Sequence, residues 1–78
     1  MIKYRKQAEK FILSQGKQQA TRIMLAVERL PAGDVKPYKG RQGSPKKFRL
    51  RIGGYRIIFC VVDNVIHVLE VDNRGDIY

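Results

Sequence analysis

Apolar side chains recur at helical spacing in two adjacent segments, residues 4–15 and 17–29. In the first segment the residues that fall on one helical face are Tyr4, Ala8, Phe11 and Ile12. In the second segment they are Ala20, Ile23, Met24, Val27 and Leu30. Gly16 separates the two segments, and Pro31 with Gly33 ends the second. The pattern predicts an antiparallel hairpin of two helices, each with an apolar face for a core.

The spacing changes to a period of two at Lys47. Apolar Phe48, Leu50 and Ile52 alternate with basic Lys47, Arg49 and Arg51, which is typical of a half-buried strand. Gly53 and Gly54 predict a two-residue hairpin turn, because both glycines accept a positive φ. Residues 55–62 are apolar on both faces and predict a central strand, a turn at 63–64 follows, and residues 65–71 predict a third strand. The prolines and glycines of residues 31–45 predict a loop.

The predicted hairpin has a definite register, because a turn at residues 53 and 54 pairs 52 with 55, 51 with 56 and 50 with 57. One face of the hairpin is then apolar, and the two helices can cover it. On the other face Arg51 lies opposite Arg56, with Arg49 and Lys47 farther along the strand. Like charges opposed across a ladder are destabilising. This arrangement favours an anionic ligand, and phosphate fits the planar fork of a guanidinium.

Composition supports an anionic partner. The chain has 78 residues, which we interpret as a single domain over 1–78, with 16 Lys and Arg against 7 Asp and Glu and a net charge of +9. Between residues 36 and 56 every charged residue is basic, and this segment holds half of all the basic residues. The competing interpretation is a solvated basic surface, although such surfaces normally mix the two signs of charge.

Other features limit the classes of function. The one cysteine, Cys60, lies in an apolar run and is interpreted as a packed thiol in a reducing compartment. No segment is long and apolar enough for a signal peptide or a membrane span, so we expect a soluble cytoplasmic protein without membrane contact. His67 is expected opposite Cys60, near the basic face, where a packed or edge role is favoured over catalysis. The sequence has no catalytic triad, metal cluster or phosphate-binding loop, and we expect no cofactor.

Four stretches carry a resemblance to a known family. They are Phe48–Phe59 with its Leu-Arg-Ile-Gly-Gly-Tyr-Arg hairpin, the terminal Val71–Tyr78, and the segments Tyr4–Phe11 and Gly33–Gly40. Together they resemble the RelE/ParE superfamily of toxins from toxin–antitoxin systems. The resemblance implies an α+β fold, in which an N-terminal helical hairpin packs on one face of a small, mainly antiparallel sheet. It also implies an N-terminal strand near residues 2–5, which would start the first helix later.

The RelE branch of this superfamily cleaves messenger RNA in the ribosomal A site without a metal. By motif the resemblance implies these catalytic residues: Lys47, Arg49, Arg56, Arg74 and Tyr78. It leaves four further basic residues for RNA binding: Lys39, Arg41, Lys46 and Arg51. Arg49 stands where the family often has lysine, which puts a general-base role there in doubt because arginine retains its proton. Asn73 stands where many members have histidine.

The implied reaction uses the RNA 2'-OH as nucleophile and leaves a 2',3'-cyclic phosphate and a 5'-hydroxyl. Arginines would stabilise the charge on the phosphate, Lys47 is the candidate for base assistance, and Tyr78 for stacking or acid assistance. We expect no acidic residue on the basic face, so cleavage of naked RNA should be slow and should depend on the ribosome to position the substrate.

Two alternatives share the fold. The ParE branch inhibits DNA gyrase and cuts no RNA, although Arg56, Arg74 and Tyr78 together argue against it. A non-catalytic nucleic-acid or antitoxin-binding module would bind phosphate without chemistry. In each case the expected protein partner is an acidic, partly disordered antitoxin that wraps the helical hairpin or covers the basic face.

Overall fold

The computed structural model describes residues 1–38 and 46–73. Within these ranges the chain forms two helices and five strands, which together make an α+β fold. In chain order the elements are β1 (Ile2–Tyr4), α1 (Lys6–Ser14), α2 (Lys17–Glu28), β2 (Asp34–Pro37), β3 (Phe48–Ile52), β4 (Tyr55–Val62) and β5 (Val65–Asn73). The sheet has the order β1-β5-β4-β3-β2, with β1 parallel to β5 and every other described pairing antiparallel. The predicted fold class is therefore confirmed.

The core lies between the two helices and one face of the sheet. Helix α1 contributes Ala8 and Ile12, and α2 contributes Ala20, Ile23 and Val27, at the spacing that the sequence predicted. The sheet side is formed by the buried residues Leu50, Ile57, Phe59, Val68 and Val71. Phe48 and Phe59 stack at 5.7 Å between ring centroids, so the register of β3 on β4 also matches aromatic partners.

Helix α1 is tied to the start of β4 by aromatic and polar contacts. Phe11 meets Tyr55 edge-to-face with ring centroids 6.2 Å apart, and the Tyr55 hydroxyl donates a hydrogen bond to Gln15 Oε1 at 3.2 Å. Gly16 links α1 to α2 with a φ of +92°, a backbone conformation that residues other than glycine rarely adopt. These contacts place the helical hairpin over the apolar face and leave the other face of the sheet to the charged residues.

The assignments predicted from the helical spacing for Tyr4 and from the prolines and glycines for residues 34–37 are wrong. Tyr4 belongs to β1 and not to the first helix, because it pairs with Val68 of β5 in a parallel ladder. Tyr4 was the only apolar residue that extended the helical spacing to this part of the chain. Burial and the neighbouring Glu28 carboxylate raise the pKa of Tyr4, which keeps the phenol neutral under the helices. Residues 34–37 lie in the predicted loop but form β2. Pairing with β3 stabilises this strand, although Pro37 and the nearby glycines have a low intrinsic preference for strands.

The predicted β3–β4 register is confirmed at each pair, including Arg51 opposite Arg56 and Ile52 opposite Tyr55. The turn differs in one respect, because only Gly53 of the two glycines has a positive φ, at +56°. This pattern is typical of a type II′ turn. In the following turn both Asp63 and Asn64 have positive φ, which these short polar side chains tolerate.

The turn makes a testable distinction between neighbouring glycines. We expect Gly53→Ala to lower the free energy of unfolding by about 1 kcal/mol, because its φ is in the left-handed region. Gly54→Ala should change it by no more than about 0.5 kcal/mol, since a Cβ there would lie 3.6 Å from Asn73 Oδ1, an ordinary contact. Urea unfolding followed by circular dichroism measures both. Equal losses for the two variants would contradict the turn assignment.

Candidate functional site

The face of the sheet turned away from the helices carries three of the nine predicted site residues, Arg49, Arg51 and Arg56. We call it the open face. Strand alternation and the observed register place these residues on it: Lys3, Asp34, Lys36, Arg49, Arg51, Arg56, Ile58, Cys60, His67, Glu70 and Asp72. The three arginines lie on the adjacent strands β3 and β4, so their charges are concentrated on neighbouring positions of one surface.

Arg51 and Arg56 are direct cross-strand partners, and each also has an acidic residue as its partner on the other side. The row across four strands consists of Asp34, Arg51, Arg56 and Asp72. Asp72 accepts hydrogen bonds from Arg56 Nη2 at 2.8 Å and from Arg56 Nε at 3.2 Å. The repulsion expected between the two arginines is therefore offset in part by a carboxylate on the next strand, in a side-on, two-point contact.

Arg49 is the most buried of the basic residues on this face. Only 8% of its surface is exposed, and its Nη1 atom is buried with no hydrogen-bond partner within the described residues. Its cross-strand partners are Lys36 on β2 and Ile58 on β4, and neither is acidic. Leaving a buried hydrogen-bond donor without a partner costs free energy. Arg49 is therefore held in place at the expense of stability, as is common for groups that act on a ligand.

The burial of Arg49 gives a prediction for stability. We expect Arg49→Met to raise the free energy of unfolding by about 1 kcal/mol, because a buried donor without a partner is replaced by an apolar chain of similar length. Arg49→Lys keeps a buried charge and should give no such gain. Chemical denaturation of the two variants beside the parent chain is the measurement. A loss of stability in Arg49→Met would show that the guanidinium stabilises the fold.

Of the remaining predicted site residues, two lie within the described ranges and four lie outside them. Lys47 is exposed, and the Tyr38 N–H donates to its carbonyl at 3.0 Å, which continues the β2–β3 ladder and keeps Lys47 on the side of Arg49. Lys46 is exposed directly before it. Four predicted residues lie outside the described residues: Lys39, Arg41, Arg74 and Tyr78.

The expectation of no acidic residue on this face is wrong. Three acidic residues lie on it: Asp34 of β2 is opposite Arg51, and Glu70 and Asp72 of β5 are opposite Ile58 and Arg56. For the two β5 residues the cause is a bulge: Phe59 pairs with Val68 but Ile58 pairs with Glu70, so Leu69 is the extra residue. The sequence held a signal for it, because the apolar positions 66, 68 and 71 depart from a period of two. Without the bulge, Val71 would face outward and Glu70 would face the core.

Cys60 and His67 lie in a separate part of the open face. They are cross-strand partners, as predicted, and Cys60 is buried. Together with Lys3 and Arg5 they line an open depression of about 490 Å³ beside β1, which none of the described predicted site residues lines. In residues 1–38 and 46–73, no three His, Cys, Asp or Glu side chains are grouped so that they could hold a metal ion.

Neither of the two helices in the described ranges has the length and hydropathy that a membrane span requires.

Comparison with known families gives a match over nearly the whole chain. Residues 2–78 match the family described as the ParE toxin of the type II toxin–antitoxin system parDE. No curated protein matches the chain by sequence.

Similar solved structures are toxin–antitoxin complexes. The archaeal RelE–RelB complex from Pyrococcus horikoshii OT3 contains a chain with a TM-score of 0.75 and 31% identity, over 95% of this chain and 93% of that one. A chain of the RelB–RelE antitoxin–toxin complex from Methanococcus jannaschii has a TM-score of 0.70 and 26% identity, over 97% and 94%. A chain of the RelBE2 complex from Mycobacterium tuberculosis has a TM-score of 0.70 over 95% and 96%, and at 21% identity it supports the fold alone.

Proposed function

The chain belongs to the ParE toxin family of type II toxin–antitoxin systems, within the RelE/ParE superfamily, and on this premise we propose that it is an endoribonuclease that cleaves messenger RNA on the ribosome. The observation that carries the proposal is the set of Arg49, Arg51 and Arg56 on adjacent strands of the open face.

RNA supplies the nucleophile for this reaction, so the protein needs to orient the backbone and stabilise charge. In the proposed step the 2'-oxygen forms a bond to the adjacent phosphorus, the bond from phosphorus to the 5'-oxygen breaks, and a 2',3'-cyclic phosphate remains. Negative charge builds on the phosphate oxygens, where guanidinium donors bind most strongly. Arg56 and Arg49 are assigned this electrostatic role, and Arg51 is assigned to binding the backbone.

The proton transfers are assigned to Lys47 and Tyr78. Lys47, which lies on the side of Arg49, is proposed to assist removal of the 2'-proton. Tyr78 is proposed to stack on a base or to protonate the leaving 5'-oxygen, and Arg74 to bind the phosphate beside it. Lys39, Arg41 and Lys46 are proposed to bind the RNA backbone beyond the reacting phosphate.

Dependence on the ribosome is proposed because Asp72 and Arg49, two residues of the open face, are poorly suited to proton transfer. The Arg56–Asp72 contact engages one of the two β5 carboxylates, and Arg49 retains its proton. Catalysis then relies mainly on charge stabilisation and on a substrate already held in line for attack. We propose that the ribosome supplies this alignment.

The in vitro test compares one mRNA in two states, bound to programmed ribosomes and naked. We expect cleavage of the ribosome-bound mRNA to be faster by at least about a hundredfold, since alignment of reacting groups supplies factors of this size. The products should carry a 2',3'-cyclic phosphate and a 5'-hydroxyl. A matched mRNA with a single 2'-deoxynucleotide at the cut site should stay intact there. Equal rates on naked and bound mRNA would contradict dependence on the ribosome.

An antitoxin is the proposed protein partner, as in the RelE–RelB complexes to which the chain is similar. The net charge of +9 favours an acidic partner. Apolar side chains also project from the helices, where Leu13 is 67% exposed and Leu25 is 45% exposed. We propose that the antitoxin covers these helix residues, the open face, or both.

Inhibition of DNA gyrase is the second candidate, and the ParE description of the matched family favours it. In that case the open face binds protein and the mRNA stays intact. A supercoiling assay with purified gyrase separates the two candidates, because the endoribonuclease has no effect on it.

A further inference from the structure

The side-on contact between Arg56 and Asp72 suggests a role for a carboxylate in a basic site. Asp72 Oδ2 lies 2.8 Å from Arg56 Nη2, and Oδ1 lies 3.2 Å from Nε. We propose that Asp72 is a positioning residue, which fixes the plane of the Arg56 guanidinium for the phosphate of the RNA. This role rests on the proposed function. Asp72 touches no substrate in this account and acts through Arg56.

The geometry explains why Arg56 needs such a partner. Arginine has a long side chain with many rotamers, and Arg56 has Arg51 as its direct partner on β3. Repulsion from Arg51 favours rotamers that carry the guanidinium away from the cluster. A carboxylate on the neighbouring strand β5 holds the guanidinium by two of its nitrogens, Nε and Nη2. The result is one orientation prepared before the phosphate arrives.

The location of Asp72 is itself set by the fold. The bulge at Leu69 brings Asp72 onto the open face directly opposite Arg56, while Val71 stays buried in the core. The side chains of the pair are 18% and 34% exposed, for Arg56 and Asp72 respectively. Ion pairs with this much solvent access add little to stability, so stabilisation of the fold does not by itself account for a carboxylate at position 72. A role in orientation does not depend on a large gain in stability.

The opposing hypothesis is that Asp72 masks Arg56. Both hypotheses predict tighter RNA binding when the carboxylate is removed, because a negative charge leaves the RNA-facing surface. They differ in the rate at saturation: positioning predicts a slower reaction without Asp72, and masking predicts a faster one. The pair of measurements therefore distinguishes them where an affinity alone cannot.

The experiment uses four single variants of the full chain, together with Arg56→Ala alone and combined with Asp72→Asn. Single-turnover cleavage of mRNA on programmed ribosomes is measured over a range of toxin concentrations. Asp72→Ala removes the partner, Asp72→Asn keeps one acceptor oxygen, and Asp72→Glu keeps the charge. The matched control is Glu70→Gln, which removes one negative charge from the same strand and face but lies opposite Ile58. Thermal unfolding of each variant shows that it is folded.

We expect Asp72→Ala to lower the saturating rate by about tenfold to a hundredfold, as misplacement of a catalytic group does. The toxin concentration at half-saturation should not rise. Asp72→Asn should lose less, and Asp72→Glu should recover most of the rate. Glu70→Gln should lower the toxin concentration at half-saturation without lowering the saturating rate. In an Arg56→Ala background, Asp72→Asn should cause no further loss.

Three results would overturn the role of Asp72. One is a saturating rate in Asp72→Ala equal to that of Glu70→Gln, and another is a faster rate, which assigns masking instead. The third is a loss from Asp72→Asn that persists in the Arg56→Ala background, since the effect would then not act through Arg56. Failure of the proposed function looks different, because the parent chain itself would leave ribosome-bound mRNA intact.

Discussion

Replacing Arg56 with alanine is expected to slow single-turnover cleavage of ribosome-bound mRNA by about a hundredfold to a thousandfold, the usual cost of removing one donor to a charged transition state. Arg56 lies on the central strand β4, between Arg51 and Asp72, and its side chain is only 18% exposed. Arg56→Lys should recover part of the rate, because it restores the charge without the planar fork.

The fold should survive this change. The pair that is lost is partly exposed, and such pairs contribute about 0 to 1 kcal/mol. The matched control is Lys10→Ala, which removes one positive charge from an exposed position on α1, on the helix side of the sheet. The control should retain the cleavage rate at saturation. Equal loss in Arg56→Ala and Lys10→Ala would show that only total charge matters and would remove Arg56 from the reaction.

Replacing Ile57 with alanine is expected to have the largest effect on folding. Ile57 is completely buried at the centre of the sheet, where it pairs with Leu50 and Val71 under the helices. Truncation of such a side chain costs about 2 to 5 kcal/mol, and a domain of this length has a total stability of only about 4 to 12 kcal/mol. The variant should therefore be largely unfolded near the growth temperature of mesophilic bacteria or melt far below the parent.

The matched control lies on the same strand. Val61 is 46% exposed, so Val61→Ala should change the free energy of unfolding by about 0.5 kcal/mol or less. Ile57→Val removes a single methylene and should cost about 1 kcal/mol, which remains measurable if the alanine variant does not fold. Urea unfolding gives all three values. A loss for Ile57→Ala no greater than that for Val61→Ala would contradict the position of the core.

The parts of the fold that were predicted from the sequence are those set by local pattern. The helical face of Ile23 and Val27, the hairpin register of Arg51 with Arg56 and the pairing of Cys60 with His67 all follow from spacing and turn chemistry. These features require only neighbouring segments of chain. They were therefore accessible without knowledge of the tertiary structure.

The parts that were missed depend on contacts between distant segments. Strand β2 forms because Val35 and its neighbours pair with β3, and four residues with a proline give little strand signal alone. The helical spacing placed Tyr4 in the first helix, whereas the family resemblance implied the strand near residues 2–5, which pairs in parallel with β5 more than 60 residues later in the chain. Asp72 lies past the predicted end of its strand, and a bulge decides which face it takes.

For the candidate site, the sequence indicated the cations and missed their carboxylate partner. Arg49, Arg51 and Arg56 were predicted on one face and are found there. The burial of Arg49 could not be foreseen, because alternation gives the face of a side chain and not how deeply it is covered. Their catalytic roles, and those of Lys47, Arg74 and Tyr78, remain proposals.

A map of mRNA ends after brief induction of the chain in bacteria, with Arg56→Ala induced in parallel, tests whether the chain cleaves mRNA on the ribosome. We expect new ends inside translated frames, with 2',3'-cyclic phosphates on the upstream fragments, and their loss in the Arg56→Ala strain at equal protein levels. Plasmid supercoiling should stay normal over the same interval. Arrested growth with intact mRNA and altered supercoiling would contradict the account and assign the open face to gyrase.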